Sequence, residues 1–169
     1  MKTLVTIAAL LAFAVPTAFA APPATSPSPA QLCKAQRALM EPANFASVYA
    51  PANPKSAFGK CLAAKEHQIT QNHTNAAKTC TAELGASPES RAAFNTHYGA
   101  NENDKNAYGK CVAQKAKAQT VAQQLTTLKA AKQCKADRRA NATAFGEMYG
   151  TKKNAFGKCV SAKSKKTQS

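Results

Sequence analysis

Large apolar side chains are sparse along this chain, and where they occur they recur at helical spacing. Phe45 and Tyr49, Phe94 and Tyr98, and Phe145 and Tyr149 are aromatic pairs four apart; Phe58 and Leu62, Tyr108 and Val112, and Phe156 and Val160 repeat the step. Residues four apart share one face of a helix, and no β-branched alternation of strand length occurs, so the pattern predicts an all-α protein. Punctuation supports this. Ser56, Asn106 and Asn154 each precede an Ala-aromatic-Gly-Lys-Cys string and predict N-caps that accept from first-turn amides. Ser87-Pro88 and Asn141 read as starts of a short helix, which Gly99 and Gly150 would end in a left-handed conformation. In the first copy Ala50-Pro51 takes the place of that glycine.

These strings are three copies of one unit. Residues 57–61 recur at 107–111 and 155–159, each preceded by its aromatic pair and, further upstream, by Cys33, Cys80 or Cys134. The aromatic step never varies, whereas the spacings to the flanking cysteines do. Loops tolerate insertions and packed helices do not, so each unit reads as a first, a short and a third helix joined by two turns. The fold class predicted is therefore all-α, with three tandem helical units, each stapled by one disulfide. Ala113 to Ala140, rich in strong helix formers, predicts that the third helix of one unit runs on into the first helix of the next. Residues 58–84 allow the same, with Thr70, Asn72, Thr74 and Asn75 marking where a break would fall. The expected organisation is a signal peptide over 1–20, a Pro/Ser-rich tether over 21–30 and unit 1 over 31–66. A connecting helix and unit 2 follow over 67–117, then a connecting helix, unit 3 and a basic tail over 118–169.

The first residues supply the compartment: Lys2, an apolar stretch from Leu4 to Val15, and Ala18-Phe19-Ala20 as a small-x-small cleavage pattern. That stretch is too short to span a bilayer, and no other approaches spanning length, which predicts no transmembrane segment in the mature chain. A secreted protein, extracellular or periplasmic, is expected, and its six cysteines, none in Cys-x-x-Cys spacing, read as disulfides. The repeat selects Cys33–Cys61, Cys80–Cys111 and Cys134–Cys159. The competing frame, Cys61–Cys80 with Cys111–Cys134, would bond positions that a continuous helix holds far apart.

Composition then poses a problem. Alanine accounts for 38 residues, and beyond residue 20 Leu, Ile, Val and Phe total 16 of 149, well under the roughly 20% below which charged chains tend to disorder. Three disulfides, on the order of 3 kcal/mol each in the chain-entropy model, can offset a core this small. Gly59, Gly109 and Gly157 recur in register, and close approach of a unit's first helix beside its disulfide is the expected reason.

Net charge is +15, and +14 beyond the signal segment, divided as +3, +2 and +9 over the three units. Lys152, Lys153, Lys158, Lys163, Lys165 and Lys166 carry much of the last value and are the candidate anion-binding residues. The function expected is non-enzymatic binding of an anionic polymer or surface: wall polymer, nucleic-acid backbone or acidic lipid headgroups. The alternative is a structural spacer or protein-partner platform whose charge serves solubility. Aromatics do not interleave with the lysines, which argues against sequence-specific nucleic-acid recognition. The sequence offers no catalytic constellation, no cofactor motif and no metal-ligand spacing, His67 and His73 being six apart. The unit Cys…Phe-x-x-x-Tyr-Gly…Asn-Ala-Phe-Gly-Lys-Cys-Val, complete from Cys134 to Val160, resembles a repeat in uncharacterised secreted proteins of actinobacterial type. That resemblance implies export and no particular activity.

Overall fold

The structure, a computed structural model, describes residues 26–99 and 106–166. The expected signal peptide and residues 21–25 of the expected tether lie outside them. Among the described residues there are seven α-helices and no strand: α1 (Pro29–Met40), α2 (Pro42–Tyr49), α3 (Ala57–Leu84), α4 (Pro88–Tyr98), α5 (Ala107–Ala140), α6 (Ala142–Tyr149) and α7 (Ala155–Lys166). A 3-10 turn, Pro54–Ser56, leads into α3. The all-α reading holds. Both connecting helices are continuous, with the Thr70 and Thr74 hydroxyls each donating back to the carbonyl four residues earlier.

Helix ends follow the sequence in part. Ser28 and Gln31 form a reciprocal capping box, with Ser28 Oγ accepting from Gln31 N at 3.2 Å and Gln31 Oε1 from Ser28 N at 2.8 Å. The expected tether thus ends two residues early, since Pro29 occupies the first helical turn. Ser87 and Asn141 cap α4 and α6 as expected. Ser56 and Asn106 precede α3 and α5 but make no side-chain cap; the Ser56 hydroxyl donates instead to Asn53 O at 2.9 Å. Gly150 ends α6 at φ +88°, whereas Gly99 ends α4 in extended conformation at φ −71°.

Disulfides pair Cys33 with Cys61, Cys80 with Cys111 and Cys134 with Cys159, so each unit's first and third helices are stapled. The units do not stack in a row. Helices α3 and α5 lie antiparallel, bonded at one end by Cys80–Cys111 and held midway by Asn72, whose Nδ2 donates to Thr120 Oγ1 at 2.9 Å and Gln123 Oε1 at 2.8 Å. Unit 2 closes this end around a small core of Cys80, Phe94, Ala107 and Cys111. At the open end units 1 and 3 meet and share one larger core that includes Met40, Phe45, Ala131, Phe145, Phe156 and Val160. Within each unit the aromatic pair stacks at centroid distances of 4.9, 4.8 and 5.0 Å.

The three register glycines turn out not to be equivalent. Nothing lies within 4 Å of a Cβ placed on Gly59 or Gly109, so the expected close approach beside the disulfide is absent there. A Cβ on Gly157 would stand 2.5 Å from Ser47 O, and Gly157 N already donates to Ser47 Oγ at 3.2 Å. The close approach exists once, between α7 of unit 3 and α2 of unit 1. Gly157→Ala should therefore destabilise the protein by about 1–3 kcal/mol in urea unfolding. Gly59→Ala and Gly109→Ala should each stabilise it by up to about 1 kcal/mol, the helix-propensity gain. Equal effects at all three positions would contradict this packing.

Candidate functional site

Where units 1 and 3 meet, their matched faces leave a half-open cleft of ≈ 840 Å³. Phe45 and Phe58 of unit 1 stand in its wall with the corresponding Phe145 and Phe156 of unit 3. Phe45, Phe145 and Phe156 are buried and Phe58 is half-buried, and the Phe45 and Phe58 rings lie 6.5 Å apart. The volume falls in the range of small-molecule pockets, and of the four rings Phe58 presents the most surface. In unit 2 the equivalent of Phe58 and Phe156 is Tyr108, 41% exposed, whose hydroxyl donates to Ala77 O at 3.0 Å. No other unit covers that face, and the tyrosine's hydroxyl is spent on α3.

Cations surround the mouth: Arg37, Lys55, Arg138, Lys152 and Lys153 line the cleft, and no acidic side chain does so among the described residues. Arg138, near the C-terminus of α5, has its guanidinium carbon 5.4 Å from the Phe156 ring centroid and donates from Nη1 to Asn44 Oδ1 at 3.0 Å. Nearby acids are engaged elsewhere. Asp137 pairs with Lys163 at 3.0 Å, and Glu41 pairs with Lys135 at 2.5 Å, a bond that holds the Glu41 carboxyl below its usual range. Glu41 is also the one non-glycine residue at positive φ among the described residues, +69°, at the sharp joint between α1 and α2.

Of the six lysines singled out from sequence, only Lys152 and Lys153 reach this cleft. Lys158 and Lys165 border a shallower hollow beside Ser47 and Asn154, Lys163 is held by Asp137, and Lys166 ends α7. The two hollows adjoin through Ser47 and Pro51. Sequence reasoning missed Arg37, Lys55, Arg138 and Asn44, and it read the four phenylalanines only as core. A signal was available in the alternation Phe58, Tyr108, Phe156, which separates the two units that face each other from the one that does not.

A polar network fixes one side of this assembly. Gln36, fully buried on α1, donates from Nε2 to Gln124 Oε1 at 2.6 Å and accepts from the Tyr49 hydroxyl. Gln124 Nε2 in turn donates to Leu32 O at 3.2 Å. Burial pushes the Tyr49 phenol up to about 12, partly offset by the Gln36 bond. No group of three or more His, Cys, Asp or Glu side chains that could hold a metal occurs among the described residues.

A model of the PBP/GOBP family matches residues 55–169, about two thirds of the chain. The chain belongs to the PBP/GOBP family. The match begins just before α3, so Phe58 falls within it while α1 and α2, which carry Arg37, Asn44 and Phe45 of the cleft, precede it. No curated protein and no solved structure matches. The expected resemblance to secreted proteins of actinobacterial type gains no support from these comparisons; an all-helical frame with three disulfides is the common ground with the family found. PBP/GOBP proteins are small secreted binding proteins rather than enzymes, and three disulfides suit an oxidising extracellular compartment. No helix among the described residues is long and apolar enough to cross a membrane.

Beside the cleft's supporting helices, Lys65 on α3 is only 6% exposed, and its ammonium donates to Gln68 Oε1 at 2.9 Å. Desolvation lowers its pKa from 10.5 to about 8. Between those values the unfolded chain binds more protons than the folded one, so this group's contribution to stability improves as pH rises from about 8 toward 10. Lys65→Met should accordingly raise stability by about 2 kcal/mol at pH 7. The gap to the native protein should narrow steadily between pH 8 and pH 10, as read by urea unfolding at each pH. A gap independent of pH would place the effect in packing instead.

Proposed function

We propose that this protein is an extracellular carrier of a small, largely apolar ligand held in the cleft between units 1 and 3. The observation that carries this reading is the lining: two equivalent phenylalanine pairs, brought together from opposite ends of the chain, around a cavity of ≈ 840 Å³. Family membership supports it, since a binding protein needs a pocket and this cleft has four phenylalanines in its lining. Burial of apolar ligand surface against such walls is favourable by roughly 25 cal/mol per Å² before the costs of association.

A second reading, attachment to an anionic polymer or surface, draws on the exposed Lys152, Lys153, Lys158 and Lys165. These residues border two adjoining hollows that share Ser47 and Pro51, one of which is the aromatic cleft, and it is the aromatic lining that favours a small ligand over a polymer.

An environment-sensitive apolar dye should bind the disulfide-bonded protein with enhanced fluorescence. Phe58→Ala should weaken its binding at least fivefold, while Tyr108→Ala, at the equivalent position of unit 2, should leave it unchanged. Equal losses in both variants, or no binding in the native protein, would sink the carrier reading. Co-sedimentation with DNA or anionic vesicles that persists without dye binding and falls steeply with salt would favour the polymer instead.

A further inference from the structure

The cleft is asymmetric in a way that bears on what it holds. Its walls are aromatic, and all its ionisable lining is cationic, with Arg37, Lys55, Arg138, Lys152 and Lys153 unopposed by any acid in the lining. Charges of one sign gathered at a concave mouth repel one another and focus a positive potential there. A purely apolar ligand would leave that arrangement unused.

Arg138 is the best placed of them. Its stem leaves α5 in the last turn, its guanidinium sits over Phe156, and Asn44 on α2 takes one of its hydrogen bonds. A guanidinium carries five N–H donors in a planar fork, so the Asn44 bond orients the group and leaves donors over for an oxyanion. Its neighbour Asp137 is turned to Lys163, and Glu41, in the adjoining hollow that shares Arg37 and Phe58, is neutralised by Lys135. Neither acid lines the cleft itself, and Glu41, though also within electrostatic reach of Arg138, is bonded to Lys135.

We infer that the ligand of this cleft is an amphipathic anion: a small apolar body against the half-buried Phe58 and the floor that Phe45, Phe145 and Phe156 form beneath it, with a carboxylate or phosphate head on Arg138 and, outside it, Lys152 and Lys153. The inference rests on the carrier reading and adds the chemical class of the ligand. It commits to a free, monomeric amphiphile, because the aromatic surface is recessed between two units rather than displayed on a flat face.

The test is calorimetric titration of the intact, disulfide-bonded protein with decanoate, decyl phosphate and decanol, each as monomer, at low and at moderate salt. Decanoate and decyl phosphate should bind at least tenfold more tightly than decanol, with the advantage shrinking as salt rises. Arg138→Gln should erase most of that advantage and leave decanol binding as it was. Since Arg138 also bonds Asn44, the paired variant Lys152→Gln and Lys153→Gln, in an exposed loop, serves as a second reading and should reduce the advantage by several-fold. If decanol binds as well as decanoate, or both variants keep the full preference, the anionic-head inference is overturned and the carrier reading stands. If none of the three binds, the carrier reading fails and takes the inference with it. Binding only to anionic vesicles would overturn the commitment to a free amphiphile.

Discussion

Two helices of 28 and 34 residues laid side by side and antiparallel can bring together segments about a hundred positions apart in sequence. The pairing of α3 with α5 does this here. Cys80–Cys111 fixes the turn of the hairpin, and the bonds from Asn72 to Thr120 and Gln123 set its register through the middle. A hydrogen-bonded side chain that is 2% exposed is costly to leave unpaired, so a slip of the two helices would bury polar atoms without partners. With register fixed, unit 1 has no choice but to meet unit 3, and the shared core, the Gly157–Ser47 contact and the cleft all follow.

The same constraint explains how a chain so poor in large apolar residues stays folded. Unit 2, alone at its end, buries little beyond a disulfide, one phenylalanine and a few alanines. Units 1 and 3 each offer only a little more. Pooled into one cluster, their methionine, phenylalanines and two disulfides make a core that neither could build alone. Alanine then contributes by letting helices approach closely, as Ala130, Ala131 and Ala76 do in the buried interior.

Much of the local structure was legible in the sequence, because local structure is what repetition encodes. Helical spacing, the aromatic stacks and the disulfide frame each depend on residues within one unit, and each recurs in register. Cap geometry was less legible: Ser56 has the chemistry of an N-cap, yet a preceding 3-10 turn draws its hydroxyl to Asn53 O. The cleft was not legible from any one copy. Its walls come from units 1 and 3, and its guanidinium belongs to a connecting helix rather than to the repeated string.

What decides the site is therefore the departure from repetition. Gly157 is sterically required while Gly59 and Gly109 face open space, so an identical residue has a different job in each unit. Phe58 and Phe156 line a cavity, and Tyr108, in the same register, lies exposed with its hydroxyl on a neighbouring helix. Likewise the excess of positive charge in the third unit is not spread evenly over it. Part of that charge is tied to acids in Lys163–Asp137 and Lys135–Glu41, and part borders the two adjoining hollows between units 1 and 3. Three similar units can specify a stable frame, but only dissimilar placement around a shared interface can specify a ligand, because recognition needs an apolar wall and a charged rim on different sides of one cavity.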